Sequence, residues 1–530
     1  MKRSNFLRAS AILTASAVGT KLLGALFKLP LTNLLGGTGM GYFSTAYGLF
    51  LPLYAVLVTG LSTAVARPVA FYTAQHRQEA AADVRRMAGR VFCAAGLAGS
   101  IAAALLARRF TVQTAGNADA VPAVLAIAPA VLLCCLTAVE RGYYEGLCRM
   151  MPTALSQLAE AAVKLGAGLY LCRRFMLRPP AVLAGCTPEA AGACGAVLGV
   201  TAGALAGYLL MLACRIREPV LPRSNVPARV LLRELLGIMI PAALGALVTN
   251  LTSLIDLVTV MRSFLAQIAE DPAAFCRNAR VPEGIPPEKA AAFVYGSFMG
   301  LSVTVFNLVP SLTNMLAKGV LPCAAQAWGA GDRKAAAGYA REVLLLTGLA
   351  AIPAGCALTV LAGDVLRFLF AGREDEIAAA VPSLQALAPG LIGLCLTFPV
   401  FSLLQAVGRE DLPVKLLLPG ALVKLIGNLL LLPRLHAAGA ALSTGLCYGV
   451  ILTAALVCLR RVLGEKIGIG RCLAAQGFSG ILCAGAAWVA CTRLQCLLPQ
   501  RPAFLLAACI GAGVYAVGIV CLKGMRPGKV

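Results

Sequence analysis

The feature that most constrains this chain is a succession of apolar runs, most of them about 19 residues or longer, joined by short connections that carry most of its charge. A run of that length crosses the ~30 Å hydrocarbon core of a bilayer as one α-helix. Runs fall near 9–35, 41–66, 89–107, 121–139, 153–172 and 191–214. A second set lies near 235–261, 293–317, 342–362, 381–407, 414–433 and 438–459, and a last pair near 472–491 and 503–522. They predict an all-α polytopic membrane protein of about fourteen transmembrane helices. Composition agrees: of 530 residues, 59% are apolar and only 13% charged. Soluble domains carry about 25% charged residues, so no stretch here is polar enough to fold as a separate soluble domain.

The N-terminal segment MKRSNFLRASAILTASAVGT has the basic start and apolar run of a secretory signal. The run continues past Lys21 to Leu35 without a convincing cleavage point, so it is read as a retained first helix. The excess of 46 Lys and Arg over 23 Asp and Glu is spread between the apolar runs rather than gathered on one face. That argues against nucleic acid and for membrane topology and contact with anionic lipids. With the N-terminus inside, the inner segments hold 28 Lys and Arg and the outer loops 14, which predicts cytoplasmic N- and C-termini.

Twenty cysteines include no CxxC pair, and most, such as Cys93, Cys134, Cys135, Cys214 and Cys509, lie inside apolar runs as small lipid-compatible side chains. His76 and His436 are the only histidines. A histidine metal centre or nucleophile relay has little material, and no cofactor, metal or catalytic residue is expected. The longest polar connection, 262–292, carries Pro272, Pro282, Pro286 and Pro287 and is expected to be irregular or a short surface helix.

Landmarks recur at an offset of about 250 residues. RPVAFYTAQHRQEAAADVRR follows the second run and LPCAAQAWGAGDRKAAAGYAR the eighth. Their alanine triplets, Ala80–Ala82 and Ala335–Ala337, are 255 residues apart, and Pro68 and Pro322 are 254 apart. Tyr47-Gly48 and Tyr295-Gly296 are offset by 248, and Pro152 and Pro413 by 261, each of these prolines leading to a lysine, Lys164 or Lys424. Six runs separate equivalent points, so a duplication would give parallel repeats about an axis along the membrane normal, a transporter plan. The expected organisation is an N-lobe at 1–217, a C-lobe at 218–462 and a C-terminal helix pair at 463–530. Intramembrane prolines Pro30, Pro52, Pro129, Pro241, Pro310, Pro353, Pro389, Pro399 and Pro419 suit helices that bend, although membrane helices also tolerate proline without bending.

A lysine at the centre of a span costs about 2.5–3.5 kcal/mol on the insertion scale, so Lys21, Lys28, Lys164 and Lys424 need a reason. Lys21 and Lys28 are seven residues apart and share one helix face with Gly24. Glu160 and Lys164 form an i, i+4 acid-then-base pair able to neutralise itself. The residue one turn before Lys424 is Gly420 rather than an acid, and a central cation facing a cavity invites an anion such as a phosphate or diphosphate. The plainer possibility is that these lysines close interhelical ion pairs, for example with Glu160 or Asp256. Asp256 could instead bind a coupling cation.

Several segments carry a family resemblance: MGYFSTAYGLFLPLYAVLVTGLSTAVARPVA, ERGYYEGLCRMMPTALSQLAEAAVKLGAGLYL, IPAALGALVTNLTSLIDLVTVMR, LLQAVGREDLPVKLLLPGALVKLIGNLLLLP and GAALST. The chain resembles the polysaccharide-transport branch of the multidrug, oligosaccharidyl-lipid and polysaccharide exporter superfamily, within it the stage V sporulation protein B and lipid II flippase group. The resemblance implies a fourteen-helix fold, passage of an undecaprenyl-diphosphate-linked sugar across the bacterial cytoplasmic membrane, a cationic cavity for the diphosphate, and a last helix pair that guides the lipid tail. On that pattern Lys21 and Lys28 stand where lipid II flippases carry first-helix cations. From Tyr42 to Ala66 the second span has no charge, where those flippases place charged residues.

Two other readings stay open. A cation-coupled multidrug exporter of the same fold would favour carboxylates in its cavity, whereas central lysines outnumber central acids here. A membrane glycosyltransferase would draw on Glu270, Asp271, Glu283 and Glu288, which sit in the short proline-rich connection.

Overall fold

The computed structural model describes residues 3–522, apart from 115, 117, 220, 410, 466 and 467. The described chain begins with α1 (Arg3–Leu57), α2 (Leu61–Ala74), α3 (Gln78–Arg109), α4 (Val121–Gly146), α5 (Met150–Leu177), α6 (Pro188–Ile216) and α7 (Ala228–Glu270). It continues with α8 (Pro272–Asn278), α9 (Pro287–Ser297), α10 (Val303–Phe306), α11 (Leu308–Gly329), α12 (Arg333–Leu369) and α13 (Glu374–Ala406). α14 (Asp411–Leu463), α15 (Gly470–Leu494) and α16 (Gln500–Cys521) close it. No strand occurs among the described residues.

Ten helical stretches among the described residues are long and apolar enough to cross a membrane. Their outward faces carry large apolar side chains: Leu105 is 75% exposed, Leu430 66% and Val520 75%. Water would penalise that surface and lipid does not. The protein is a multi-pass, all-α membrane protein.

Two of the ten stretches contain a break with positive φ, and α12 has a further kink at Leu361 (φ −103°). α1 is interrupted at Gly36 (φ 66°) and α14 at His436 (φ 49°), close to the expected boundaries between the first and second runs and between the eleventh and twelfth. Glycine enters the left-handed region at little cost. A third interruption separates α1 from α2, with Gly60 at φ 83°. Pro30, Pro52, Pro129, Pro353, Pro389, Pro399 and Pro419 sit within helices, so the sharp breaks fall elsewhere than at these prolines. Of the expected 262–292 connection, 262–270 extend α7 and 287–292 open α9, and between them lies the short α8, capped by Asp271, whose carboxylate accepts from Ala274 N at 3.0 Å.

The chain divides into two compact units, Met1–Val258 and Thr259–Val530. The division falls inside α7 because Leu231, Leu235 and Met239 of that helix are buried in one core with Val65, Val69, Val84, Ala88 and Tyr144 of the first unit. Within this unit α5 and α6 pack through small residues, and a Cβ on Gly195 would lie 2.5 Å from the Leu171 carbonyl. In the second unit Gly390 of α13 meets Gly445 of α14 in the same way. There α15 and α16 pack on each other and on α12, with Gly511 against Ala487 and Gly480 against Ile352.

The two alanine triplets occupy matching places. Both alanine triplets open a long helix, α3 and α12. Ala80 and Ala81 are buried in the first unit's core, and Ala336 and Ala337 in that of the second.

Candidate functional site

In the first unit, α1, α4 and α5 bring ionic side chains together within apolar helices. Lys164 of α5 donates to Tyr47 Oη at 3.1 Å, and its Nζ lies 5.1 Å from the Phe27 ring centroid and 5.6 Å from that of Tyr47. Aromatic faces attract a cation in this geometry. Lys28, one residue after Phe27 on α1, is half-buried. Lys21 is exposed, one helix face along from Lys28, with open space at Gly24 between them.

The intrahelical pairing expected of Glu160 and Lys164 gives way to a pairing between helices. Glu160 Oε2 accepts from Arg141 Nη2 of α4 at 2.8 Å, while Lys164 turns to Tyr47. Arg141 also donates to Ser156 Oγ, from Nε at 2.9 Å and from Nη2 at 2.6 Å. A guanidinium supplies several donors at once, so it can hold the hydroxyl and the carboxylate of α5 together, which an ammonium on the same helix as the acid does less well.

Beside this pair lies a cavity of about 330 Å³. Tyr54, Thr59, Gly60 and Ser62 line it from the break between α1 and α2, Thr137, Arg141 and Glu145 from α4, and Gln157 and Glu160 from α5. Ser62 Oγ donates to Glu145 Oε2 at 2.8 Å. The segment ERGYYEG explains the approach: a Cβ on Gly142 would lie 2.5 Å from Ser62 O, and one on Gly146 2.7 Å from Ala66 O. The two glycines, one turn apart, let α2 press against α4 and bring Ser62 within reach of Glu145.

A second ionic cluster joins three helices of the same unit. Glu140 of α4, whose side chain is 6% exposed, takes Arg85 of α3 at 2.5 Å and Arg215 of α6 at 3.2 Å. The Arg85 guanidinium also lies over the Tyr143 ring, 4.5 Å from its centroid.

In the second unit Lys424 is 3% exposed on α14. One turn along the same helix, the fully buried Asn428 donates to Thr259 Oγ1 at 2.7 Å and accepts from Ser443 Oγ. Asp256, on the part of α7 that belongs to the first unit, is buried. The second unit also holds an apolar cavity of about 380 Å³ lined mainly by α12, α15 and α16, among them Leu358, Leu361, Ala487, Phe504, Gly511 and Tyr515.

The structure therefore gathers Lys28, Lys164 and Glu160 in one unit and sets Lys424 in the other. It adds Arg141, Glu145, Tyr47 and Phe27, which sequence reasoning did not single out. The i, i+4 spacing of Arg141 and Glu145, at the end of a helix whose first nineteen residues carry no charge, was the available signal.

Residues 6–323 match the family described as Polysaccharide biosynthesis protein, and residues 297–430 match MatE. Stage V sporulation protein B of Bacillus subtilis (strain 168) is 24% identical over 468 residues, covering 86% of this chain and 84% of that protein. Lipid II flippase MurJ of the same organism is 22% identical over 540 residues, covering 97% of this chain and 94% of that protein. A solved structure titled Lipid II flippase MurJ, inward closed conformation, superposes with a TM-score of 0.70 at 13% identity, covering 97% of this chain and 99% of that one. At that identity the match speaks to the fold.

Proposed function

The chain belongs to the polysaccharide biosynthesis protein family, and from that premise we propose that it is a flippase for an undecaprenyl-diphosphate-linked cell-wall or polysaccharide precursor, lipid II-like in chemistry. It acts in the bacterial cytoplasmic membrane by alternating access, with both termini cytoplasmic. The observation that carries this reading is the setting of Lys164 on α5 against Phe27 and Tyr47 of α1, with Lys28 the residue next to Phe27. A diphosphate that meets both ammonium groups gains two charge-assisted contacts in a low-dielectric setting. Lys21 adds a further cation on the face of α1 that carries Lys28, Lys424 is assigned as a substrate lysine of the second unit, and Glu160 and Asp256 serve as ion-pair or coupling groups.

The apolar cavity of α12, α15 and α16 suits the polyprenyl tail, since its wall offers almost no hydrogen-bonding group to compete for water. We assign fourteen crossings. The break in α1 and the break in α14 each turn one stretch into two, and α5 and α7 join the ten. Residues 1–217 and 218–462 form parallel six-helix lobes and 463–530 the added pair.

Lys164→Ala and Lys424→Ala are expected to lower precursor transport, or complementation of a flippase-deficient strain, without lowering the amount of protein in the membrane. Normal transport by both variants would remove these lysines from the site. The MatE match over residues 297–430 favours one competing reading, a cation-coupled drug exporter. Efflux of cationic drugs from a sensitive host, with no movement of lipid-linked sugar, would establish that reading instead.

A further inference from the structure

We infer that a smaller, polar cavity of the second unit, between the end of α12 and the starts of α13 and α16, is the headgroup site of a zwitterionic membrane phospholipid that carries a phosphate and a primary amine. The acyl chain of that lipid lies in the neighbouring apolar cavity of α12, α15 and α16.

The polar cavity, of about 140 Å³, is lined by Asp364, Arg367 and Phe368 of α12, Glu374 of α13, and Gln500 and Arg501 of α16. It abuts the apolar one. Phe368 belongs to the polar wall and Phe504 to the apolar wall, and their ring centroids are 5.2 Å apart. On α16 a single helix face runs through both, because Arg501 is followed by Phe504, Ala508, Gly511 and Tyr515 at steps of three and four residues. On α12 the apolar wall reaches from Pro353 to Val365. At 1.5 Å per residue that is about 18 Å, slightly more than half of the ~30 Å hydrocarbon core and so the depth of one leaflet. A polar end joined to an apolar trough of leaflet depth fits a lipid of the bilayer itself.

The charges of the polar end choose the headgroup. Arg367 Nε pairs with Glu374 Oε2 at 3.1 Å. Asp364 Oδ1 accepts from the neutral Gln495 Nε2 at 2.7 Å. Among the described residues neither Asp364 nor Arg501 makes an ion pair, which leaves one charge of each sign on the wall. A phosphate meets Arg501 and a primary ammonium meets Asp364, both through charge-assisted hydrogen bonds. A glycerol headgroup has the phosphate without the ammonium, and a choline headgroup has a cation that donates no N–H to the carboxylate. Size agrees, since a volume of about four waters takes phosphoethanolamine and leaves no room for a sugar-bearing diphosphate. The phospholipid chain and the polyprenyl tail assigned above occupy the apolar trough in turn.

Binding is measured by native mass spectrometry on the purified full-length protein, stripped of lipid in detergent and titrated with phosphatidylethanolamine, phosphatidylglycerol or phosphatidylcholine of identical acyl chains. No lipid-linked sugar is present. The expected result is one phosphatidylethanolamine per protein, held about fivefold or more tightly than the other two lipids. Arg501→Ala is expected to weaken it several-fold, and Asp364→Asn to abolish the preference over phosphatidylglycerol. Equal binding of the three lipids by wild type, or a preference unchanged in both variants, overturns the inference. Should Asp364→Asn fail to fold, the exposed Arg501 decides: unchanged phosphatidylethanolamine binding by Arg501→Ala overturns the inference, and weakened binding supports it. Selective phosphatidylethanolamine binding by a protein that moves no lipid-linked sugar upholds this site and overturns the flippase reading. Undecaprenyl diphosphate bound through Arg501, with no phospholipid preference in wild type, overturns this site and leaves the flippase reading in place.

Discussion

At the scale of single residues, an ionic group in these helices is tolerated because it finds a partner on a neighbouring helix. Glu160 and Arg141 are the clearest case, with side chains 34% and 16% exposed. Arg141→Met is expected to destabilise the protein by about 1–3 kcal/mol, since it leaves the carboxylate without its donors. Combining it with Glu160→Gln should restore part of the loss, read as the coupling in a double-mutant cycle of thermal midpoints in detergent. Additive losses would mean that the two side chains do not depend on each other. Lys28, Lys164 and Lys424 were legible in the sequence because an ammonium in the middle of an apolar run is expensive enough to demand an explanation. Their surroundings were not. Tyr47 and Phe27 look like any aromatic residues of an apolar helix until the rotation of α1 against α5 is known. The pairing of Glu160 with Lys164 was read along one helix, and the cross-helix fork of Arg141 prevailed.

At the scale of helices, close approach is set by small residues and held by buried charge. Gly142→Ala would place a methyl group against the Ser62 carbonyl and push α2 away from α4. A loss of about 1–3 kcal/mol is expected from overpacking, together with a weakened Ser62–Glu145 contact, and an unchanged thermal midpoint would contradict the assigned role. Glu140 ties α3 and α6 to α4 through Arg85 and Arg215. Glu140→Leu strands two guanidinium groups and should lower the yield of folded protein more than Glu140→Gln, as measured by monodisperse recovery after extraction. Helix positions and the boundaries near residues 36 and 436 were readable from hydropathy, because the bilayer demands long apolar runs and leaves little else possible. The nature of the breaks was less readable. Prolines attracted attention as hinges, yet the left-handed positions are Gly36, Gly60 and His436, whose conformations depend on how the flanking helices pack.

At the scale of the whole molecule, two compact units each contain a buried ionic or polar cluster, and the second also carries an apolar cavity. Landmarks a near-constant distance apart raise the expectation of a duplication, and both alanine triplets open long helices. The contribution of α7 to the first unit's core was not legible, because an amphipathic helix start gives no sign of which partner it will choose. The central claim is that membrane-embedded lysines serve a diphosphate headgroup. Its most direct test is reconstitution of the protein in liposomes with fluorescent lipid II, following the label from one leaflet to the other. Wild-type protein is expected to move the label, and a double variant carrying Lys28→Ala and Lys164→Ala to move it about tenfold more slowly or not at all. Movement no faster than in protein-free liposomes, or a double variant as fast as wild type, would contradict the account.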